Sequence, residues 1–359
     1  MQTKFILIGG GWRAEFFMRL AQKLPALFQI TAIVTINPAT QAYYSEWGFT
    51  CVPTLAEALE IGEPQFAVVC VPHTVATDVN LATLQAGIPV LTETPVGATL
   101  ADLQRFATEM PADVKLQVAE QYFLRPDMLA QQAVIDQGII GTPQTARVSY
   151  TNNYHAIALM RKFLQITAKD TIVTAQRFQV TGQPGFGRGG IVEQETFQTY
   201  NQTLATFAFE DGKVGLYDFE DDQHRSFIRS QDIQIKGDRG EIRNHEVRYL
   251  KDFATPLLSN ITRVNRGEGV NMEGVGLKGL TFNGDWVMGN PYPNAMLSDD
   301  ELALGQCLTN MAAYVAGTGP SMYSFAEAAQ DFYLTLLIED AIKTGAPVQT
   351  TDQPWSEWL

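Results

Sequence analysis

The stretch Lys4-Phe5-Ile6-Leu7-Ile8-Gly9-Gly10-Gly11-Trp12-Arg13-Ala14 decides the fold. Its first five residues read as a short buried strand. Arg13 to Leu24 reads as a helix, with apolar residues at Phe16, Phe17, Leu20 and Leu24. The turn between them has the form G-x-G-x-x-A. Gly9 permits a tight turn, Gly11 lets a backbone come close to a pyrophosphate, and small Ala14 lets the helix pack near the strand. With Trp12 and Arg13 completing the turn, the helix N-terminus offers free N–H groups and positive dipole to phosphates. The stretch therefore predicts a dinucleotide site.

Outward from this turn, strand and helix alternate over the first 120 residues. Strands are expected at 4–8, 30–34, 66–71, 90–92 and 115–118, with helices at 13–24, 39–47, 55–59, 75–86 and 101–110. Thr54-x-x-Glu57 and Thr99-x-x-Asp102 have the spacing of capping boxes. Short β runs separated by helices make a doubly wound parallel sheet, with its ligand beyond the strand C-termini. After Pro126 the texture changes. A helix at 128–137 and another at 155–164 precede or interrupt longer alternating strands at 145–150, 171–180, 203–209, 214–219, 228–236 and 241–249. Asp211-Gly212 and Asp238-Arg239-Gly240 are expected hairpin turns. Two further helices start at Ser298-x-x-Glu301 and Ser324-x-x-Glu327, and 182–190 and 255–296 are expected to be loops. The expected architecture is α/β followed by α+β: a Rossmann domain at 1–122, then a second domain at 123–359 on a large, mostly antiparallel open sheet.

Net charge is −14, from 25 basic and 39 acidic residues, which leaves no basic face for nucleic acid or an anionic membrane. Three cysteines without a CxxC pair fit a reducing compartment, and the N-terminus enters a strand without a signal-like leader, so a cytoplasmic protein is expected. The four scattered histidines have no metal-ligand spacing, and no metal is expected.

Further motifs carry a resemblance. The glycine turn, Val71-Pro72-His73, Ala86-Gly87-Ile88-Pro89-Val90-Leu91-Thr92-Glu93-Thr94-Pro95, Val118-Ala119-Glu120-Gln121-Tyr122 and the C-terminal 331–348 together resemble the glucose–fructose oxidoreductase/inositol dehydrogenase (Gfo/Idh/MocA) family. The resemblance implies a nicotinamide cofactor, a small polyol, sugar or related substrate, and dimers or tetramers. It implies that Glu93 touches the cofactor's ribose region, that Pro95 shapes the turn and that His155 is the catalytic histidine. The family's Glu-Lys-Pro triplet is Glu93-Thr94-Pro95 here, and its Asp-x-x-x-His pair falls on Thr151 and His155. Biliverdin reductases resemble the family without that lysine and reduce a double bond; other relatives bind cofactor and regulate transcription without catalysis.

Three readings follow: an NAD(P)-dependent oxidoreductase on a small polar metabolite (sugar, polyol, or C=N or C=C substrate), a non-catalytic dinucleotide sensor, and a diverged pseudoenzyme. For the first, His155 is the acid/base candidate because its unperturbed pKa of about 6.5 suits proton transfer near neutrality. Tyr154 offers a phenolic proton, and Glu120 is a second acid or else a partner of Arg125 or Arg161. Pro72, His73, Glu93, Thr94, Pro95 and Gln121 sit at strand ends facing the expected cofactor. Arg161 and Lys162 read as solvated helix charge ahead of a substrate-carboxylate site, and Arg188 reads as a residue of the glycine loop, with closure over substrate the lesser alternative. The tip Thr35-Ile36-Asn37 lacks the acid that holds NAD ribose hydroxyls, and Arg13 is placed to reach a 2′-phosphate, which favours NADP over NAD.

Overall fold

The computed structural model describes residues 2–185, 187, 190 and 192–359. The chain opens with β1 (Thr3–Ile8), α1 (Trp12–Lys23), β2 (Phe28–Val34), α2 (Pro38–Glu46), β3 (Cys51–Val52) and α3 (Leu55–Ile61). It continues with β4 (Phe66–Val69), α4 (His73–Gln85), β5 (Val90–Thr92), α5 (Leu100–Glu109) and β6 (Leu116–Val118). These six strands pair in parallel in the order β3-β2-β1-β4-β5-β6. The order reverses between β1 and β4, and in such a sheet the ligand crevice lies at that switch point. Strand β4 is buried throughout, as an apolar run covered by helices on both faces must be. The two-residue β3 was not predicted, because so short a strand has no periodicity to read.

The chain then runs through α6 (Pro126–Asp136), β7 (Pro143–Ser149), α7 (Asn153–Leu164), β8 (Ile172–Gly182), β9 (Gln198–Ala208), β10 (Val214–Glu220) and β11 (Asp232–Gly237). It closes with β12 (Gly240–Arg243), β13 (Glu246–Leu250), β14 (Pro256–Asn260), β15 (Thr262–Glu268), β16 (Glu273–Phe282), β17 (Asp285–Gly289), α8 (Asp299–Val315), α9 (Phe325–Thr344) and β18 (Val348–Gln349). A nine-stranded sheet has the order β14-β13-β12-β11-β7-β10-β9-β8-β18 and is antiparallel except at β7/β10. One face, carrying Val148, Val173, Phe207, Ile233 and Ile235, is buried. Helices α7 and α9 pack on this sheet and on each other.

The expected strand over 241–249 is two strands, β12 and β13, because Asn244 adopts a left-handed φ of 54° and turns the chain. The expected loop over 255–296 instead contains β14 and the small sheet β15-β16-β17. Its glycines conceal the strand signal but serve packing. A Cβ on Gly279 would stand 2.7 Å from the Trp286 ring, and one on Gly276 would stand 2.5 Å from the Met296 sulfur. Asp211-Gly212 is a turn with both residues at positive φ, as expected.

Capping chemistry sets the helix starts. Ser298 with Glu301, Ser324 with Glu327 and Thr99 with Asp102 form complete capping boxes. Thr54 caps α3 by accepting from the Glu57 N–H, but the Glu57 carboxylate accepts a hydrogen bond from the Thr54 hydroxyl instead of from the Thr54 backbone N–H. No helix among the described residues is long and apolar enough to cross a membrane.

Candidate active site

The glycine turn is built as its sequence requires. Gly9 has φ +116°, and a Cβ there would stand 2.3 Å from the Cys70 carbonyl oxygen, so only glycine fits. Gly11 caps α1 with no side-chain hydrogen bond, and a Cβ on it would meet nothing within 4 Å. Open space therefore lies over Gly11 at the N-terminus of α1, where the helix dipole suits a phosphate. The Tyr44 hydroxyl donates to the Gly10 carbonyl at 3.0 Å and ties the turn to α2.

Three neighbouring strand ends complete the crevice. Beyond β4 lie Pro72 and His73, both exposed, with His73 opening α4. Beyond β5 lie Glu93, Thr94 and Pro95. Glu93 is buried, yet its Oε1 has no hydrogen-bond partner among the described residues. Such an orphaned acceptor beside the glycine turn fits a ribose hydroxyl, so the residues present suit a dinucleotide. Beyond β6 lie Glu120 and Gln121, also buried.

Helix α7 meets these strand ends at its first turn. His155 Nδ1 lies 2.6 Å from Glu120 Oε2, and Glu120 Oε1 accepts the Tyr122 backbone N–H at 3.0 Å. The His155 ring lies against Tyr122 and Tyr154, with centroids 4.7 and 4.3 Å away. Burial holds the Glu93 carboxyl above its ordinary range, opposed chiefly by Arg13, while Glu120 and His155 also lie within electrostatic reach of it. Burial likewise holds the Tyr154 phenol above its ordinary value and so keeps it protonated; Thr94 is its hydrogen-bonding neighbour.

The structure thus brings Gly9, Gly11, Arg13, Glu93, Thr94, Glu120, Tyr154 and His155 to one crevice, and sets Thr35 at the β2 tip beside the glycine turn, its Oγ1 3.3 Å from where a Cβ on Gly10 would stand. There the Thr35 carbonyl accepts from Gln41 at 2.6 Å, and Asn37 Oδ1 caps α2. Arg13 does not extend toward that tip. Its Nε lies 3.5 Å from Glu93 Oε2, and its guanidinium rests 4.6 Å from the Trp12 ring centroid.

Other charge expectations are corrected. Glu120 pairs with neither Arg125 nor Arg161. Arg125 bonds Asp300 at 2.6 Å, and Arg161 is buried against Asp331, with Nη2 at 3.0 Å from Oδ2. Arg161 is therefore a core ion pair between α7 and α9 and not a solvated charge. Lys162 bonds Glu327 at 2.7 Å. Arg188 lies outside the described residues. Sequence reasoning missed His224, which lies after β10 within electrostatic reach of His155 and Asp300; burial, then Arg225, lowers its pKa. It also missed Tyr150, which packs edge-on against Tyr122 at 6.2 Å. Neither carries a local motif, and only the folded sheet brings them near the dyad. Among the described residues no group of three or more His, Cys, Asp or Glu could hold a metal ion.

Residues 3–120 match the family model GFO_IDH_MocA, an oxidoreductase family with an NAD-binding Rossmann fold. The match spans the first sheet and the helices around it. No curated protein matches the sequence. Solved structures share the fold over the full length. A levoglucosan dehydrogenase in complex with NADH is 16% identical, with TM-score 0.70, covering 98% of this chain and 100% of that one. An NAD-binding oxidoreductase from Klebsiella pneumoniae is 14% identical, with TM-score 0.69 and the same coverage. An oxidoreductase from Agrobacterium radiobacter, in complex with NAD+, L-tartaric acid and magnesium, is 16% identical with TM-score 0.68, covering 100% of both chains.

Proposed function

We propose that this chain is an NAD(H)-dependent oxidoreductase acting on a small polar metabolite in the crevice between residues 1–122 and 123–359. One observation carries the reading. Arg13 from the glycine turn, Glu120 from the end of β6 and His155 from the start of α7 all lie within electrostatic reach of Glu93 at the end of β5, with Arg13 Nε 3.5 Å from Glu93 and His155 Nδ1 2.6 Å from Glu120. Four separate elements deliver ionisable groups to the place where a dinucleotide on the Gly9–Gly11 turn would end.

When bound, nicotinamide supplies or accepts the hydride. The chain's own residues hold the cofactor and move the proton. The open backbone at Gly11 and the orphaned Glu93 oxygen suit the pyrophosphate and ribose. Thr94 has no proton to exchange near neutral pH, so that task falls to His155, with Tyr154 as a second donor. A sugar or polyol oxidised at one hydroxyl, or a C=N or C=C bond reduced, meets this site equally well. Support for a polyhydroxylated substrate comes from the levoglucosan dehydrogenase of similar fold.

The cofactor reading reverses the expectation built on Arg13. With that guanidinium turned to Glu93, the segment around the β2 tip offers no cation to a 2′-phosphate, since no lysine or arginine occurs between Lys23 and Arg105. An unpaired phosphate dianion beside an acidic chain is unfavourable, so NAD(H) is the inferred cofactor.

A fluorescence titration tests the reading, followed by a turnover screen of sugars, polyols and imines. NADH is expected to bind more tightly than NADPH, and Gly11→Val is expected to abolish binding while the fold survives, because the new side chain fills the space over the α1 N-terminus. Unchanged affinity in Gly11→Val would remove the site assignment. Tight binding without turnover of any substrate would favour the sensor reading that Thr94 and Thr151 otherwise suggest.

A further inference from the structure

We propose that Glu120 is a positioning residue for His155: it fixes the imidazole proton on Nδ1 and leaves Nε2 free to exchange protons with substrate. The inference rests on the reading of His155 as the proton-moving group and adds how that group is set.

The geometry gives the two Glu120 oxygens separate tasks. Oε2 lies 2.6 Å from His155 Nδ1, and Oε1 accepts the Tyr122 backbone N–H at 3.0 Å. The Glu120 side chain has no exposed surface, so it cannot swing into water. A carboxylate can only accept hydrogen bonds, so Nδ1 must donate and the neutral imidazole must carry its lone pair on Nε2. His155 Nε2 has no hydrogen-bond partner among the described residues, and the residue keeps 8% of its surface exposed. Tyr122 and Tyr154 flank the ring and restrain its rotation.

This arrangement has a direct chemical use. In alcohol oxidation a bound oxidised nicotinamide would accept the C–H hydride, while the O–H proton goes to Nε2 as the C=O bond forms. The resulting imidazolium is stabilised by the Glu120 carboxylate. In reduction the same proton returns from Nε2 to the atom that gains charge. The carboxylate comes from the end of β6 and the imidazole from α7, so the dyad exists only when the first sheet and α7 are docked.

The test exploits Tyr122. In Glu120→Gln, the amide oxygen is retained by the Tyr122 N–H, so the amide NH₂ faces Nδ1 and donates to it. The imidazole proton must then move to Nε2. Nitrogen-15 NMR of histidine-labelled protein reads this directly, because the chain has four histidines and His155→Ala identifies the signals. The expected result is an Nδ1–H tautomer in the wild type and an Nε2–H tautomer in Glu120→Gln. Turnover should fall by about 10²–10⁴-fold, as when a wrong tautomer disables a histidine base. NADH affinity should be retained. An Nε2–H tautomer in the wild-type protein overturns the proposal even if Glu120→Gln does not fold, and so does an unchanged tautomer in the folded variant. Failure of the wild type to bind NADH would instead remove the oxidoreductase reading and leave the tautomer result standing.

Discussion

At the residue scale, the site turns on what threonine cannot do. Position 94 lies where the hydride-exchanging end of the cofactor is inferred to sit, yet its hydroxyl neither gives nor takes a proton near neutrality. If His155 moves the proton, His155→Ala should lower turnover by about 10²–10⁴-fold, the usual worth of general acid–base catalysis, with NADH affinity little changed. Thr94→Lys separates two directions of chemistry. A lysine there rebuilds the Glu-Lys-Pro triplet, so a gain in polyol oxidation would mark an alcohol dehydrogenase that has lost one group. No gain, combined with loss in His155→Ala, would mark a reductase of a double bond. Steady-state rates for the two variants decide between them, and unchanged turnover in His155→Ala would shift attention to Tyr154. Part of the candidate site is legible in the sequence: Gly9 and Gly11 sit in a turn whose spacing has mechanical meaning, and Glu93 and His155 are marked by the family resemblance. The contact between Glu120 and His155 was not, because the two residues are 35 positions apart and meet only through the docking of β6 against α7.

At the element scale, ion pairs tie helices together across the molecule. Lys23 at the end of α1 bonds Glu301 at the start of α8 at 2.7 Å, and Lys162 on α7 bonds Glu327 at the start of α9. The sequence showed Glu301 and Glu327 as capping residues. Their second task, receiving a lysine from a distant helix, depends on tertiary packing. Burial works against both charges, but the lysines and the capping N–H groups outweigh it and hold both carboxyls below their ordinary value of 4.5. Protonation is therefore harder in the fold than in the unfolded chain. The stability these groups contribute is complete above pH 4.5 and is lost as pH falls through their folded values. Asp331 and Glu93, raised by burial, act in the opposite sense, so the informative quantity is a difference. In urea unfolding measured over pH 6 to about 3, Glu301→Gln/Glu327→Gln should lose stability at pH 6, and its gap to the wild type should close on acidification. A gap that stays constant with pH would show that these carboxylates do not carry the linkage.

At the scale of the whole molecule, the nine-stranded sheet poses a question of cover. One face is buried beneath helices, and alternation along each strand sends every second residue to the other face. Register places Ile172, Thr174, Gln176 and Phe178 of β8 on that face, opposite Ala208, Thr206, Leu204 and Gln202 of β9. Ile172, Phe178 and Leu204 are 44, 46 and 37% exposed, an unusual density of apolar surface for adjoining strands that remain in water. Asp218 and Arg147 extend the same face and pair at 2.9 Å, so the surface mixes apolar patches with fixed charges. A two-fold axis would cover the face most simply, because the same patch then meets itself and no open chain of contacts forms. The protein is therefore expected to be a dimer, or a tetramer built from such dimers, by light scattering at micromolar concentration. Leu204→Lys should shift it toward monomer, since two-fold symmetry places two like charges in one apolar contact. NADH binding should persist in that variant, because Leu204 lies on the face turned away from α7 and the crevice. A wild-type monomer under these conditions would show that the exposed face is stable uncovered.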